Sequence, residues 1–423
     1  MIRFYNSKIL TLADGFDIIN GEVWVDKDKI FFVGDPSDDK LKNQGFENEI
    51  DLDGNLLMPS FKDAHTHSAM TFLRSYADDM PLQDWLTKQV FPMEAKLTGE
   101  HIYTFTKLAI LEYLSSGITA SFDMYFKLDD YVKANIDAGF RTVICSSTND
   151  FGGSPEQDEE DYLKFNSISP LISYKFGCHA EYTTKLDTIK GIAKLCQKYK
   201  EPFFAHNSET EREVLECIKR HGKTPTELFN DSGLYEYGGG GFHCVYFSEN
   251  DMKIFKEKGL WAITNPGSNT KLASGIADIS KMLNLGINIA IGTDGAASNN
   301  ALDMFREMYL VTGLQKLKYM DASICPADDV LYMATVGSAR AMGLNNCDTI
   351  EEGKQADLIV IDINKPNMQP VHNITKNLVF SGSKQNVKLT MCAGKILYQD
   401  GAYYIDESEK DIYKKANEMI KDF

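Results

Sequence analysis

Apolar residues in the first 56 positions come in short runs: Lys8-Ile-Leu-Thr-Leu12, Gly21-Glu-Val-Trp-Val25 and Lys29-Ile-Phe-Phe-Val33. Asp14-Gly15, Asn20-Gly21 and Gly34-Asp35 punctuate them, so the pattern predicts strands joined by tight turns. The far end has the same texture in Ala356–Asp362, Leu378–Ser381 and Val387–Tyr398. Two strand-rich ends around a different middle predict one small β-sandwich domain assembled from both termini, residues 1–56 and 350–423, with a peripheral helix from position 406 onward. The middle, residues 57–349, alternates short apolar runs with longer amphipathic stretches. Its strand candidates are Leu56–Met58 leading into His65, Ile118–Asp123, Thr142–Cys145, Ile172–Gly177, Phe203–His206, Gly241–Val245, Leu260–Thr264 and Ile287–Asp294. Eight such runs spaced by helices have the rhythm of a (β/α)8 TIM barrel, the competing architecture being a doubly wound open sheet. The barrel is favoured because polar residues fall at the C-terminal ends of many different strands, where barrel sites are assembled.

Composition narrows the function classes. The chain has 423 residues, 43% hydrophobic and 25% charged, as expected of a globular enzyme. A net charge of −17 argues against nucleic acid or an anionic membrane as a partner, and no run reaches the length of a membrane span. The eight cysteines form no C-x-x-C pair and sit among apolar neighbours. With an N-terminus lacking the apolar core of a signal peptide, they predict a cytoplasmic protein with reduced thiols.

The strand ends carry the chemistry. His65 and His67 stand at i and i+2, so an extended backbone turns both imidazoles to one side. His206 ends Pro202-Phe-Phe-Ala-His206, with Glu209 three residues on. Ser208 and Glu211 fit a capping box for a helix over 209–221, which would make Glu209 a first-turn acid; the alternative is a proton carrier beside a metal-binding histidine. His243 and His179 end two further strands, and Asp294 follows the most apolar run of the chain. A carboxylate so placed needs a partner, which a metal or a helix-cap role would supply. His101, His221 and His372 lie in helix-like or loop contexts and are taken as surface residues. His65, His67, His206 and Asp294 form a ligand set for one divalent metal, Zn2+ or Fe2+, with a position left open for water. A second metal would need a bridging anion, and the fourth strand ends Gly177-Cys178-His179 without a lysine to provide it.

These residues, with the segments Pro59–His67, Met70–Leu86, Phe91–Glu94, His206–Thr210, His243–Val245, Asn265–Gly275, Gly292–Asn300 and Glu352–Asp362, resemble the amidohydrolase superfamily. Within it the chain is similar to the branch of methylthioadenosine/S-adenosylhomocysteine deaminases and triazine chlorohydrolases, over nearly its whole length. The resemblance implies a barrel with a β-sandwich from both ends. It implies metal binding by His65, His67, His206 and Asp294, a proton shuttle at Glu209, and His243 hydrogen-bonding the oxygen being added. Asp294 would also accept a proton on the way to the leaving amine. His179 would touch the heterocycle, Glu94 would hold ribose hydroxyls, and Trp85 would wall the pocket or serve as a core aromatic. Ammonia would leave an amino-substituted purine nucleoside or related heterocycle. Displacement of another leaving group, or opening of a cyclic amidine, uses the same machinery. A non-enzymatic scaffold is disfavoured by the complete ligand set. A homo-oligomer is expected by analogy. The chain departs from the branch in three places. Cys178-His179-Ala-Glu181-Tyr182 stands where the deaminases typically read Pro-His-Ser-Pro-Tyr, putting Glu181 near the heterocycle; Tyr246 replaces a second histidine; and no arginine follows the third strand to grip a homocysteine carboxylate, which counts against S-adenosylhomocysteine.

Overall fold

A computed structural model describes every residue except Asn43. Eight parallel strands run in unbroken sequence order around the middle of the chain. They are β1 (Phe61–Thr66), β2 (Ile118–Met124), β3 (Arg141–Cys145), β4 (Ile172–Ala180), β5 (Phe203–Asn207), β6 (Gly239–His243), β7 (Trp261–Thr264) and β8 (Asn288–Ile291). Helices alternate with them and cover the outer face while side chains fill the inner one, so the strands read as continuous apolar runs. The first and last strands are joined just beyond β8, where Asp294 N–H donates to the His65 carbonyl at 2.9 Å and Thr293 N–H to Asp63 Oδ1 at 2.8 Å. Gly292 permits that approach, since a β-carbon there would lie 2.6 Å from His65 N. The barrel interior is plugged by Phe122, Phe204 and Phe242, packed ring against ring beneath the histidines.

The two ends of the chain share a nine-stranded mixed sheet with its own apolar core, including Phe4, Ile9, Val23, Leu57, Leu358 and Leu389. The expected barrel with a β domain drawn from both termini is thus the fold that forms. Two expectations are corrected. The run Leu56–Pro59 belongs to the terminal sheet, paired with Leu358–Ile361, and the chain enters the barrel only after Pro59. Leu378–Ser381, expected as a strand, falls in the helix Ile374–Phe380, capped by Asn373 Oδ1 accepting from Lys376 N–H. Among the described residues no helix is long and apolar enough to cross a membrane.

A buried ionic knot fastens the terminal sheet to the lower end of the barrel. Asp357 accepts from Arg141 Nε and Nη2, both at 3.1 Å, from Thr119 Oγ1 at 3.1 Å and from Ala393 N–H at 2.7 Å. Lys62 Nζ lies 3.4 Å away, and the side chains of Lys62 and Asp357 are fully buried. Burial alone would raise the Asp357 pKa, but Arg141 and Lys62 hold it well below the ordinary carboxylate value. Asp357→Ala strands two buried cations, and chemical denaturation is expected to show a loss of about 3–5 kcal/mol. Because the folded pKa is depressed, the stability the carboxylate contributes is complete above about pH 4 and declines as pH falls below that. The acid limb of the stability–pH curve should therefore flatten in Asp357→Asn.

Candidate active site

The C-terminal ends of β1, β5 and β6 and the turn after β8 bring four imidazoles and one carboxylate to a point. His65 and His206 ring centroids are 4.9 Å apart, His65 and His67 4.9 Å, and His206 and His243 5.4 Å. Potential donor atoms of His65, His67 and Asp294 lie within 4.8 Å of one another, as do those of His65, His206 and His243. His67 Nδ1 and His206 Nδ1 each lie 2.6 Å from a backbone carbonyl, of Met124 and His179 respectively. A carbonyl only accepts, so both rings carry hydrogen at Nδ1 and present a lone pair at Nε2. His67 Nε2 lies 3.3 Å from Asp294 Oδ1 and His65 Nε2 3.7 Å. The other Asp294 oxygen is held by Ser268 Oγ at 2.6 Å and Ser298 Oγ at 2.9 Å.

Both nitrogens of His65 are buried with no hydrogen-bond partner, although the ring stacks on Phe242 at 3.8 Å. Buried polar atoms are rarely left so, and a cation drawing on a ring nitrogen would resolve it. Burial first, then the neighbouring imidazoles, drive the His65 and His206 pKa values well below normal. Burial raises that of Asp294, but His67 and His243 outweigh it and keep the carboxyl below the usual range. Neutral His65 and His206 beside a charged Asp294 are the protonation states a divalent metal requires of those groups, so the residues fit one.

Glu209 sits outside the helix that follows it. Thr210 is the N-cap, its hydroxyl accepting from Glu213 N–H at 3.2 Å, and the helix runs Glu211–His221. The Ser208–Glu211 box does not form, and Ser208 takes a left-handed turn with φ 53°. Glu209 is thereby no first-turn acid. Its carboxylate is buried, accepts from Ser274 Oγ at 3.0 Å, and lies 3.9 Å from His243 Nε2. Burial raises its pKa. His243 Nδ1 is fixed by Asn269 Oδ1 at 2.8 Å.

A cavity of about 840 Å³ opens over this floor. His67, His179, His206, Glu209, His243 and Asp294 line its base, and Leu82, Trp85, Leu86 and Val90 form one wall. Glu94 and Tyr125 face it as well, and burial pushes the Glu94 pKa up to about 7. His179 Nδ1 is 3.0 Å from Thr183 Oγ1.

Glu181 departs from the expectation that it approaches a heterocycle. β4 ends at Ala180 and a short 3-10 turn swings Glu181 away from the cavity. There Arg220 Nη2 at 2.5 Å and His221 Nε2 at 3.1 Å engage its buried carboxylate. His221 is correspondingly a half-buried partner, not a surface residue; His101 caps the helix Gly99–Ser115, and His372 is exposed. Ser268, Ser274, Ser298 and Asn269 orient the site, yet their hydroxyl and amide types carry no distinguishing pattern along the chain.

The chain matches the Amidohydrolase family over residues 56–397. It is 36% identical over 420 residues to a 5-methylthioadenosine/S-adenosylhomocysteine deaminase of Caldicellulosiruptor saccharolyticus, covering 98% of each chain. It is 35% identical over 407 residues to a 5'-deoxyadenosine deaminase of Methanopyrus kandleri, covering 94% of each. An adenosine deaminase from Xanthomonas campestris, solved with bound zinc, superposes with a TM-score of 0.93 at 29% identity, over 100% of this chain and 99% of that one.

The Glu181 cluster generates a test independent of catalysis. Glu181→Gln removes the charge that Arg220 and His221 share, and thermal or chemical denaturation is expected to show a loss of about 2 kcal/mol. An unchanged stability would mean the carboxylate is not engaged as described.

Proposed function

The chain belongs to the amidohydrolase family, and from that premise we propose that it is a mononuclear metal-dependent aminohydrolase releasing ammonia from a 6-aminopurine nucleoside. The convergence of His65, His67, His206 and Asp294 beneath the cavity, with His65 otherwise unpartnered, carries this reading. Held by those four residues, a divalent metal, Zn2+ foremost, would supply a water of lowered pKa.

The rest is the work of the chain's own groups. Glu209, raised in pKa by burial and steadied by Ser274, takes a proton from the attacking water and passes it to a ring nitrogen. Protonation there makes the neighbouring carbon electrophilic. His243, locked at Nδ1 by Asn269, offers Nε2 to the oxygen being added, and Asp294 accepts a proton on the way to the departing amine. His179 contacts the heterocycle, Trp85 belongs to the apolar wall, and Glu94 receives ribose hydroxyls.

The charge of the cavity bears on the 5' substituent. Among the described residues lining it, Lys127 is the single Lys or Arg, against the acidic Glu94, Asp129, Asp158 and Asp161 in the same lining and Glu209 and Asp294 at its base. A neutral 5'-deoxy or 5'-methylthio nucleoside suits such a lining, and the carboxylate of S-adenosylhomocysteine does not. The relatives named for 5'-deoxyadenosine and for methylthioadenosine/S-adenosylhomocysteine support a 6-aminopurine nucleoside as the substrate class. Eight free, buried cysteines support a cytoplasmic setting, and a homo-oligomer is the state proposed by analogy with other barrels.

Ammonia release by zinc-loaded protein is the deciding assay. 5'-Deoxyadenosine and methylthioadenosine are expected to exceed S-adenosylhomocysteine in kcat/KM by at least about tenfold, or ~1.4 kcal/mol. Glu209→Gln should lower kcat by about 10²–10⁴-fold while metal content by elemental analysis stays at one equivalent. Chelation should abolish turnover and added Zn2+ restore it. No ammonia from any nucleoside, with metal demonstrably bound, would refute the proposal.

A further inference from the structure

Two buried carboxylates stand four residues apart, Glu209 just before the helix and Glu213 in its first turn, and of the two Glu209 faces the cavity. Glu213 turns back along the chain instead. Its Oε1 accepts from Ser208 N–H at 2.9 Å and its Oε2 from Glu209 N–H at 2.8 Å. An ordinary capping box would return the third-position acid to the N–H of the cap residue, here Thr210. This one also reaches two consecutive amides upstream of the cap, those of Ser208 and Glu209. From the other side, the Ser208 carbonyl accepts from Val245 N–H at 3.1 Å and Tyr246 N–H at 2.9 Å. The turn that carries Glu209 is thus pinned between Glu213 and the loop leaving His243. Keeping a carboxylate here is costly, because burial and then the charge of Glu209 push the Glu213 pKa up to about 7. Each carboxylate oxygen takes one of the two amides.

We propose that Glu213 is a positioning residue, clamping the Ser208–Glu209 backbone so that the Glu209 carboxylate faces His243 and the cavity. This rests on the proton-carrier role given to Glu209 above. Glutamine at 213 keeps the shape but offers one acceptor, and its amide hydrogens oppose a backbone N–H. A misplacement of a reacting group by about 1 Å can cost about 100-fold in rate.

The experiment is a double-mutant cycle on the zinc-loaded full-length protein with methylthioadenosine, joined to hydrogen exchange on the peptide spanning 207–213. Glu213→Gln is expected to lower kcat by about 10- to 100-fold, with KM within about threefold and metal content unchanged. In a Glu209→Gln background it should cost nothing further, because a residue acting only through Glu209 has nothing left to position. Exchange of the Ser208 and Glu209 amides should quicken. An equal loss in both backgrounds would show a general structural role and overturn the proposal, as would loss of metal. Should Glu213→Gln fail to fold, Glu213→Asp, which keeps the charge but shortens the reach, replaces it in the same cycle. If the wild type deaminates no nucleoside, the functional reading fails by itself. The exchange data then decide the clamp, with unchanged amides overturning it.

Discussion

The bond from Asp294 N–H to the His65 carbonyl is the contact on which the architecture turns. It ties the end of the first barrel strand to the residue just beyond the last one, so completing the ring and assembling the site are one event. The same two residues then place a carboxylate oxygen within 3.7 Å of a buried imidazole nitrogen. A barrel that failed to close would leave His65 and Asp294 on opposite edges of an open sheet. Fold stability and site geometry are therefore coupled through the contacts that join β1 to the turn after β8, and Gly292 is what allows the strands to come that near.

Around this contact the backbone is bent against its preferences. Ser208, His243, Cys244 and Asp294 all adopt positive φ, between 51° and 71°. Such conformations cost of order 1–3 kcal/mol each for residues with side chains and persist only when their surroundings over-determine them. The surroundings are visible: Glu213 and the 245–246 amides fix Ser208, Asn269 fixes the His243 ring, and Ser268, Ser298 and Gly295 N–H fix Asp294. Far below, the Lys62–Arg141–Asp357 knot offers a rigid base, away from the strained rim. Left-handed residues thus flank the site, and the Lys62–Arg141–Asp357 contacts brace the opposite end of the barrel.

The repeating strands and the histidines at their ends were legible because they depend on period and position, which the chain displays directly. What required three dimensions was direction at element boundaries. His179 and Glu181 would share a face if β4 continued, but the strand stops at Ala180 and the turn rotates Glu181 into Arg220 and His221. Two overlapping capping patterns, Ser208 with Glu211 and Thr210 with Glu213, compete locally on equal terms. The choice of Thr210 follows from the left-handed Ser208, which distant amides from the loop after β6 help to impose. The short apolar run at Leu378 is likewise ambiguous between strand and helix until Asn373 caps it.

The resolved capping frame has a chemical consequence. An acid in the first turn of a helix feels the positive end of the backbone dipole, which stabilises its charged form and weakens it as a base. Glu209 stands two residues before Glu211, the first residue of the helix, and it is Glu213 that occupies the first turn. The duties are thereby divided. Glu213 spends its lone pairs on backbone amides, while Glu209 keeps one oxygen on a neutral hydroxyl, that of Ser274, and turns the other toward His243. Burial raises the Glu209 pKa, the direction that the proposed proton carrier requires.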